Sequence, residues 1–151
     1  MTLPPRVLFG APDADAGGAR FCYVGPARSK ADLLAACCAA VNAALPAPNW
    51  DALHDVLRGL GDWIKNNTVH LVHDASITSF SPRELSIYLG ILDSTCRYFQ
   101  AEQISYDEYA AAQLPNSMER APTLNVWFPD AAREACAAAW ELELARFRGN
   151  G

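Results

Sequence analysis

Three strand-forming runs govern what this chain can fold into, and helical patterns keep them apart. They cover 19–25, 68–73 and 123–128. In the first, Phe21, Cys22, Tyr23 and Val24 are apolar at consecutive positions, as in a strand covered on both faces of a sheet. The second carries Val69, Leu71 and Val72; the third alternates Leu124, Val126 and Phe128 with Asn125 and Trp127. Strands joined through helices run parallel, because only a crossover connection returns the chain to the same end of a sheet. A further short candidate, 6–10, precedes a turn-rich loop at 11–18. The expected fold is therefore a compact α/β domain, with a small parallel sheet of three or four strands flanked by helices.

Helix starts are well marked. Ser29 with Asp32 forms an imperfect capping box, and Leu33, Leu34, Cys37, Cys38, Val41 and Leu45 make an apolar stripe that ends near Leu45, before Pro46. Asn49 caps a second helix that runs on to Trp63, with Gly59 and Gly61 as left-handed stops. Ser81, Pro82 and Glu84 open a third, stapled by Phe80 and Leu85. Its stripe of Leu85, Tyr88, Leu89, Leu92, Cys96 and Phe99 reaches about Gln100. Residues 101–122 read as a partly helical excursion with Ile104, Tyr106, Tyr109 and Leu114, closed by Pro115, Asn116 and Pro122. Asp130 caps a last helix, 131–147, with Ala132, Cys136, Trp140, Leu144 and Phe147 as its docking stripe.

Charge and cysteine usage exclude several functions. A net charge of −5 argues against binding nucleic acid, which needs clustered Lys and Arg. No apolar run approaches the roughly 20 residues of a membrane span, and the N-terminus lacks a signal core. The chain is expected to be cytoplasmic. Cys22, Cys37, Cys38, Cys96 and Cys136 are odd in number, lack a C-x-x-C pair and sit in apolar patterns, so buried reduced thiols are expected. Asp13 and Asp15 alternate as calcium ligands would, but no loop of about twelve residues closed by Glu follows. His70 and His73 fall on opposite faces of one strand, the wrong spacing for a metal pair. Without a phosphate-binding glycine loop or a nucleophile elbow, an enzyme is not expected, nor is a cofactor.

The second helix carries the functional signal. At about 100° per residue, Ala52, Leu53, Val56, Leu57 and Leu60 fall on one side. Asp51, His54, Asp55, Arg58 and Asp62 fall on the other, with Trp50 at the border. Asp51 and Asp55 are one turn apart, so both carboxylates project from one patch. That spacing costs an isolated helix roughly 0.2–0.5 kcal/mol, and the helix dipole offsets it only in the first turn. The patch is either a solvated acidic face or a surface that meets a cationic partner.

Leu45-Pro46 followed by Asn49-Trp50-Asp51-Ala52-Leu53-His54-Asp55-Val56-Leu57, set between crossover strands, resembles the barstar family of intracellular ribonuclease inhibitors. In that family the helix reads Asn, aromatic or Leu, Asp-Ala-Leu, aromatic, Asp, then an apolar pair. The resemblance implies a single barstar-like domain over 1–151, with its core at about 20–128. The strand at 6–10 and the helix at 131–147 are then additions. It also implies that the helix and the loop before it block a nuclease active site. Asp55 would enter the phosphate-binding pocket and Asp51 would support it, with Asn49, Trp50, His54 and Arg58 completing the partner-binding face. Asp93 is the candidate for a further acidic contact from the third helix. The implied partner is a basic ribonuclease or toxin nuclease, bound in the bacterial cytoplasm as an immunity protein binds, by a chain that is monomeric when free. The loop shortened to Ala47-Pro48, His54 in an aromatic position and the cation Arg58 depart from the family pattern. They leave room for a second reading, a barstar fold whose acidic face binds a regulatory or scaffold partner instead.

Overall fold

The computed structural model describes residues 3–13, 18–113 and 119–149. Asp15 of the expected loop, and Leu114, Pro115 and Asn116 of the expected excursion, lie outside them. Among the described residues four strands form one sheet: β1 (Val7–Phe9), β2 (Arg20–Val24), β3 (Thr68–His73) and β4 (Thr123–Phe128). Their order is β1-β4-β3-β2 and every neighbouring pair is parallel, as the interleaved helices require. The short first candidate joins as the edge strand, with Val7 beside Val126 and Phe9 beside Phe128.

The helices are α1 (Lys30–Ala40), α2 (Trp50–Arg58), α3 (Leu60–Trp63), α4 (Pro82–Ala111) and α5 (Arg133–Gly149). On the sheet face beneath α1 and α4, Cys22, Val24, Val69, Leu71, Leu124, Val126 and Phe128 are buried. Each large apolar side chain there contributes about 1.5–3 kcal/mol of transfer free energy. The opposite face is half-covered by a ladder in which Phe21 meets His70 and the Trp127 indole donates to His70 Nδ1 at 3.0 Å. His70 and His73 thus face opposite ways, as the strand period dictates. All five cysteines are free and buried.

Polar groups also enter the core. The buried His73 ring stacks on Phe128 at 4.4 Å, and its Nδ1 lies 3.0 Å from the Trp127 carbonyl. A carbonyl only accepts, so Nδ1 carries the proton and Nε2 accepts from the Tyr88 hydroxyl. The Tyr88 oxygen in turn lies 3.1 Å from Cys37 Sγ, whose S–H is left to donate to it. Burial pushes the Cys37 thiol up to about 12 and the His73 imidazole down to about 4. This chain of three neutral groups ties β3, α4 and α1 together.

The ends of the elements differ from the expected boundaries in four places. First, α1 stops at Ala40 rather than near Leu45. Asn42 takes a left-handed φ of 59°, with Ala43 N–H donating to the Cys38 carbonyl and Asn42 N–H to that of Ala39, a Schellman stop built on Asn. Leu45 is consequently exposed. Second, Gly59 is right-handed, so α2 runs almost directly into α3. Gly61 serves a different need, since a Cβ there would stand 3.0 Å from the Phe99 ring.

Third, α4 does not end near Gln100 but continues as regular helix to Ala111, where Gln113 turns left-handed at φ 54°. Beyond Phe99 the buried residue of α4 is the polar Gln103, so no apolar stripe marks this stretch. Gln103 anchors it instead, its amide donating to the Ala121 carbonyl at 3.1 Å and to Thr123 Oγ1 at 2.8 Å. Fourth, Asp130 does not cap the last helix. It heads a 3-10 turn, Asp130–Ala132, and accepts from Arg133 at 3.2 Å. Ala132 of that turn is buried, as are Cys136 and Trp140 of α5, which packs on α4, but Phe147 is exposed.

Candidate functional site

Asn49 begins the site by fixing where α2 starts. Its backbone is extended, and its side-chain oxygen accepts from Ala52 N–H at 2.8 Å. Leu53 and Leu57 are fully buried and anchor the helix. The polar side is therefore presented outward from a fixed base. Replacing the cap, Asn49→Ala, should lower unfolding free energy by about 1 kcal/mol in denaturant titration without changing the fold.

Asp51 and Asp55 are exposed. Arg58, which sequence places on the same side, does not project freely. It forms an ion pair with Asp55 and lies 5.6 Å from the Tyr98 ring centre on α4. With both partners substantially exposed, such a pair is worth at most about 1 kcal/mol. A stronger cation from outside can therefore take Asp55 from Arg58 at little cost. Trp50 is half-buried between the Tyr88 ring at 6.1 Å and Lys30 Nζ at 5.5 Å. It is a wall of the site more than a protruding contact.

His54 is half-buried and its Nε2 has no hydrogen-bond partner. Burial above all, then the charge of Arg58, lowers its pKa from 6.5, while Asp55 and Asp51 pull it back up. Asp93 is buried and pairs with Arg97 at 3.0 Å; burial raises its pKa against the pull of that arginine. It does not line the groove beside α2.

That groove, about 460 Å³, is bounded by Lys30 of α1, Asn49, Trp50, Asp51 and His54 of the α2 region, α4, and Glu143, Arg146 and Phe147 of α5. Of these, Asn49, Trp50, Asp51 and His54 are among the residues expected to form the site, while Asp55 and Arg58 lie outside the groove. Glu143 was not legible as part of it. The signal exists, because Glu143 follows Trp140 by three residues and so falls on the docking face of α5. Chemically the surface offers acceptors on a rigid helix and no arranged nucleophile. Among the described residues no group of three or more His, Cys, Asp or Glu side chains is placed to hold a metal. No helix among them is long and apolar enough to cross a membrane.

Comparison with curated proteins and with solved structures finds no match. The family model described as barstar (barnase inhibitor) matches residues 21–109, a span that begins in β2, contains all of α2 and ends within α4. With more than half of its length matched, and with α2 set between parallel strands, the chain belongs to the barstar family.

Proposed function

We propose that this chain is an immunity-type inhibitor that binds a basic ribonuclease and blocks its active site with α2, inside the cytoplasm of the producing cell. The observation that carries the reading is the exposed pair Asp51 and Asp55 on a capped, core-anchored helix. A carboxylate accepts a bidentate hydrogen bond from Arg much as a phosphate oxygen pair does. Asp55 is the residue for the enzyme's phosphate-binding cations, Asp51 supports it, and Asn49 and Trp50 fix the geometry. Arg58 holds Asp55 in the free inhibitor and yields it to the enzyme's arginine. Acidic-to-basic complementarity also speeds encounter.

The test is affinity capture from the source cell, followed by titration of the captured protein's ribonuclease activity with purified inhibitor. Stoichiometric, salt-weakened inhibition at one to one is expected. Capture of a partner without nuclease activity would instead favour a regulatory or scaffold role for the same face. The Asp55–Arg58 pair is the observation that favours that second reading, because a carboxylate already engaged suits a less basic partner.

A further inference from the structure

Tyr98, Glu102, Tyr106 and Tyr109 follow one another along α4 at intervals of three or four residues, so they share one face of the helix. That face and the segment from Glu119 to Ala121 bound a second groove, of about 340 Å³. Its two sides are tied together. The Gln103 amide donates to the Ala121 carbonyl at 3.1 Å, and Arg120 donates to both carboxylate oxygens of Asp107, at 3.1 and 3.2 Å. The Arg120 carbonyl in turn accepts from Asn66 N–H at 2.8 Å, which pins the segment to the rest of the fold. The groove is therefore formed before anything enters it, as ligand pockets of this size usually are.

Its walls combine aromatic rings with a single sign of charge. Among the described residues that line it, Glu102 and Glu119 are acidic and none is Lys, Arg or His. In the groove beside α2, by contrast, Lys30 and Arg146 balance Asp51 and Glu143. The nearest arginines are already taken, Arg120 by Asp107 and Arg58 by Asp55. The Tyr98 hydroxyl donates to the Glu102 carboxylate, whose hydrogen bond and charge raise the Tyr98 pKa. Tyr98 and Tyr109 are 41% and 47% exposed, and large exposed side chains grouped within a polar rim mark surfaces that meet other proteins. A cation is attracted to the face of such a ring, and arginine makes that contact more often than lysine. Arg58 of α2 already lies 5.6 Å from the Tyr98 ring centre, which sets the groove beside the C-terminal end of α2. We propose that this groove binds an arginine side chain of a docking protein, stacked on its tyrosines and held by the carboxylates of Glu102 and Glu119. The guanidinium matches both kinds of wall, with five N–H donors for the carboxylates and a flat face for the rings. An acidic side chain would meet two like charges there. The inference stands independently of the nuclease reading, since any protein resting on the end of α2 can supply the arginine.

The experiment titrates the full, nitrogen-15-labelled chain with acetyl-Gly-Arg-Gly-amide and with the same peptide carrying citrulline, the neutral analogue of arginine. The backbone amides of Ala101, Ser105 and Ala121 report on the groove. Saturable shifts with the arginine peptide and none with citrulline are expected. Glu102→Gln combined with Glu119→Gln should raise the dissociation constant about fivefold. Tyr109→Leu, which keeps the apolar bulk and removes the ring, should raise it about two- to fivefold. Glu134→Gln combined with Glu141→Gln, an equal change of charge at exposed positions of α5, should leave it unchanged. Equal response to both peptides, no response at tens of millimolar, or unaltered binding by the Glu102→Gln, Glu119→Gln variant would each overturn the proposal. So would shifts of the same amides on raising the protein concentration alone, which would put a second copy of the chain in the groove. The wild-type comparison of the two peptides decides the matter even if a variant fails to fold. No nuclease enters the assay, so its outcome is separate from that of the inhibition test.

Discussion

Acidification from pH 7 to pH 4 should remove about 3 kcal/mol of folding stability through His73 alone. The sign follows from the direction of the shift. His73 has its pKa lowered from 6.5 to about 4 in the folded protein, chiefly by burial, against the opposing pull of the Trp127 carbonyl and of Asp74. The unfolded chain therefore takes up the proton first. Stability is full above the unfolded value of 6.5, falls as pH drops below it, and levels off below about 4. His54 and His70 are lowered as well and act in the same sense. Asp93, raised by burial, acts in the opposite sense nearer its own range. Urea titrations at half-unit pH steps, on wild type and on His73→Leu, would isolate the contribution. The variant should lose stability at neutral pH, where Tyr88 is left without its acceptor, and its acid dependence should flatten. An acid slope unaltered in the variant would refute the assignment.

The second large effect concerns the proposed interface. Asp55→Ala should weaken ribonuclease binding by about 2–5 kcal/mol, between roughly 30-fold and several thousand-fold. Much of that is the cost of leaving the enzyme's own cation buried and unpaired, over and above the lost attraction. Asp51→Ala should cost less, because Asp51 supports the contact. Arg58→Ala should act the other way and tighten binding by less than about tenfold. It removes a like charge and a competitor for Asp55, in an exposed pair worth at most about 1 kcal/mol. Surface plasmon resonance at two salt concentrations would give all three values. Tight binding by Asp55→Ala, or strong loss in Arg58→Ala, would show that Asp55 is not the residue that meets the enzyme.

Features encoded within a few residues were legible in the sequence. The strands, the Ser29, Asn49 and Ser81 caps and the two faces of α2 all follow from local spacing, and each stands where that spacing puts it. Boundaries set by backbone geometry were less so. Asn42 ends α1 in a left-handed conformation that only Gly adopts freely, and its signal was outweighed by Pro46 downstream. The extension of α4 was hidden because an apolar stripe marks where a helix is packed and says little about where it stops. What could not be read at all was tertiary. The Cys37–Tyr88–His73 chain joins three elements, and the Glu143–Gly90 contact depends on how closely α5 approaches α4. At the candidate site, sequence placed the carboxylates, whereas only the folded protein reveals Arg58 lying across Asp55.

The pairing of β1 with β4 bears on how the protein is made. Val7 and its neighbour in the sheet, Val126, are separated in the chain by β2, β3 and α1 to α4, so their pairing closes a long loop. The outer edge of the sheet therefore stays open until β4 has been synthesised, after all of α1 to α4. Such long-range closure is the slow step for any fold with parallel strands, because loop entropy is spent before the contact returns it. The helix with the two carboxylates, by contrast, is synthesised before β4 and is held in the finished fold by the buried Leu53 and Leu57.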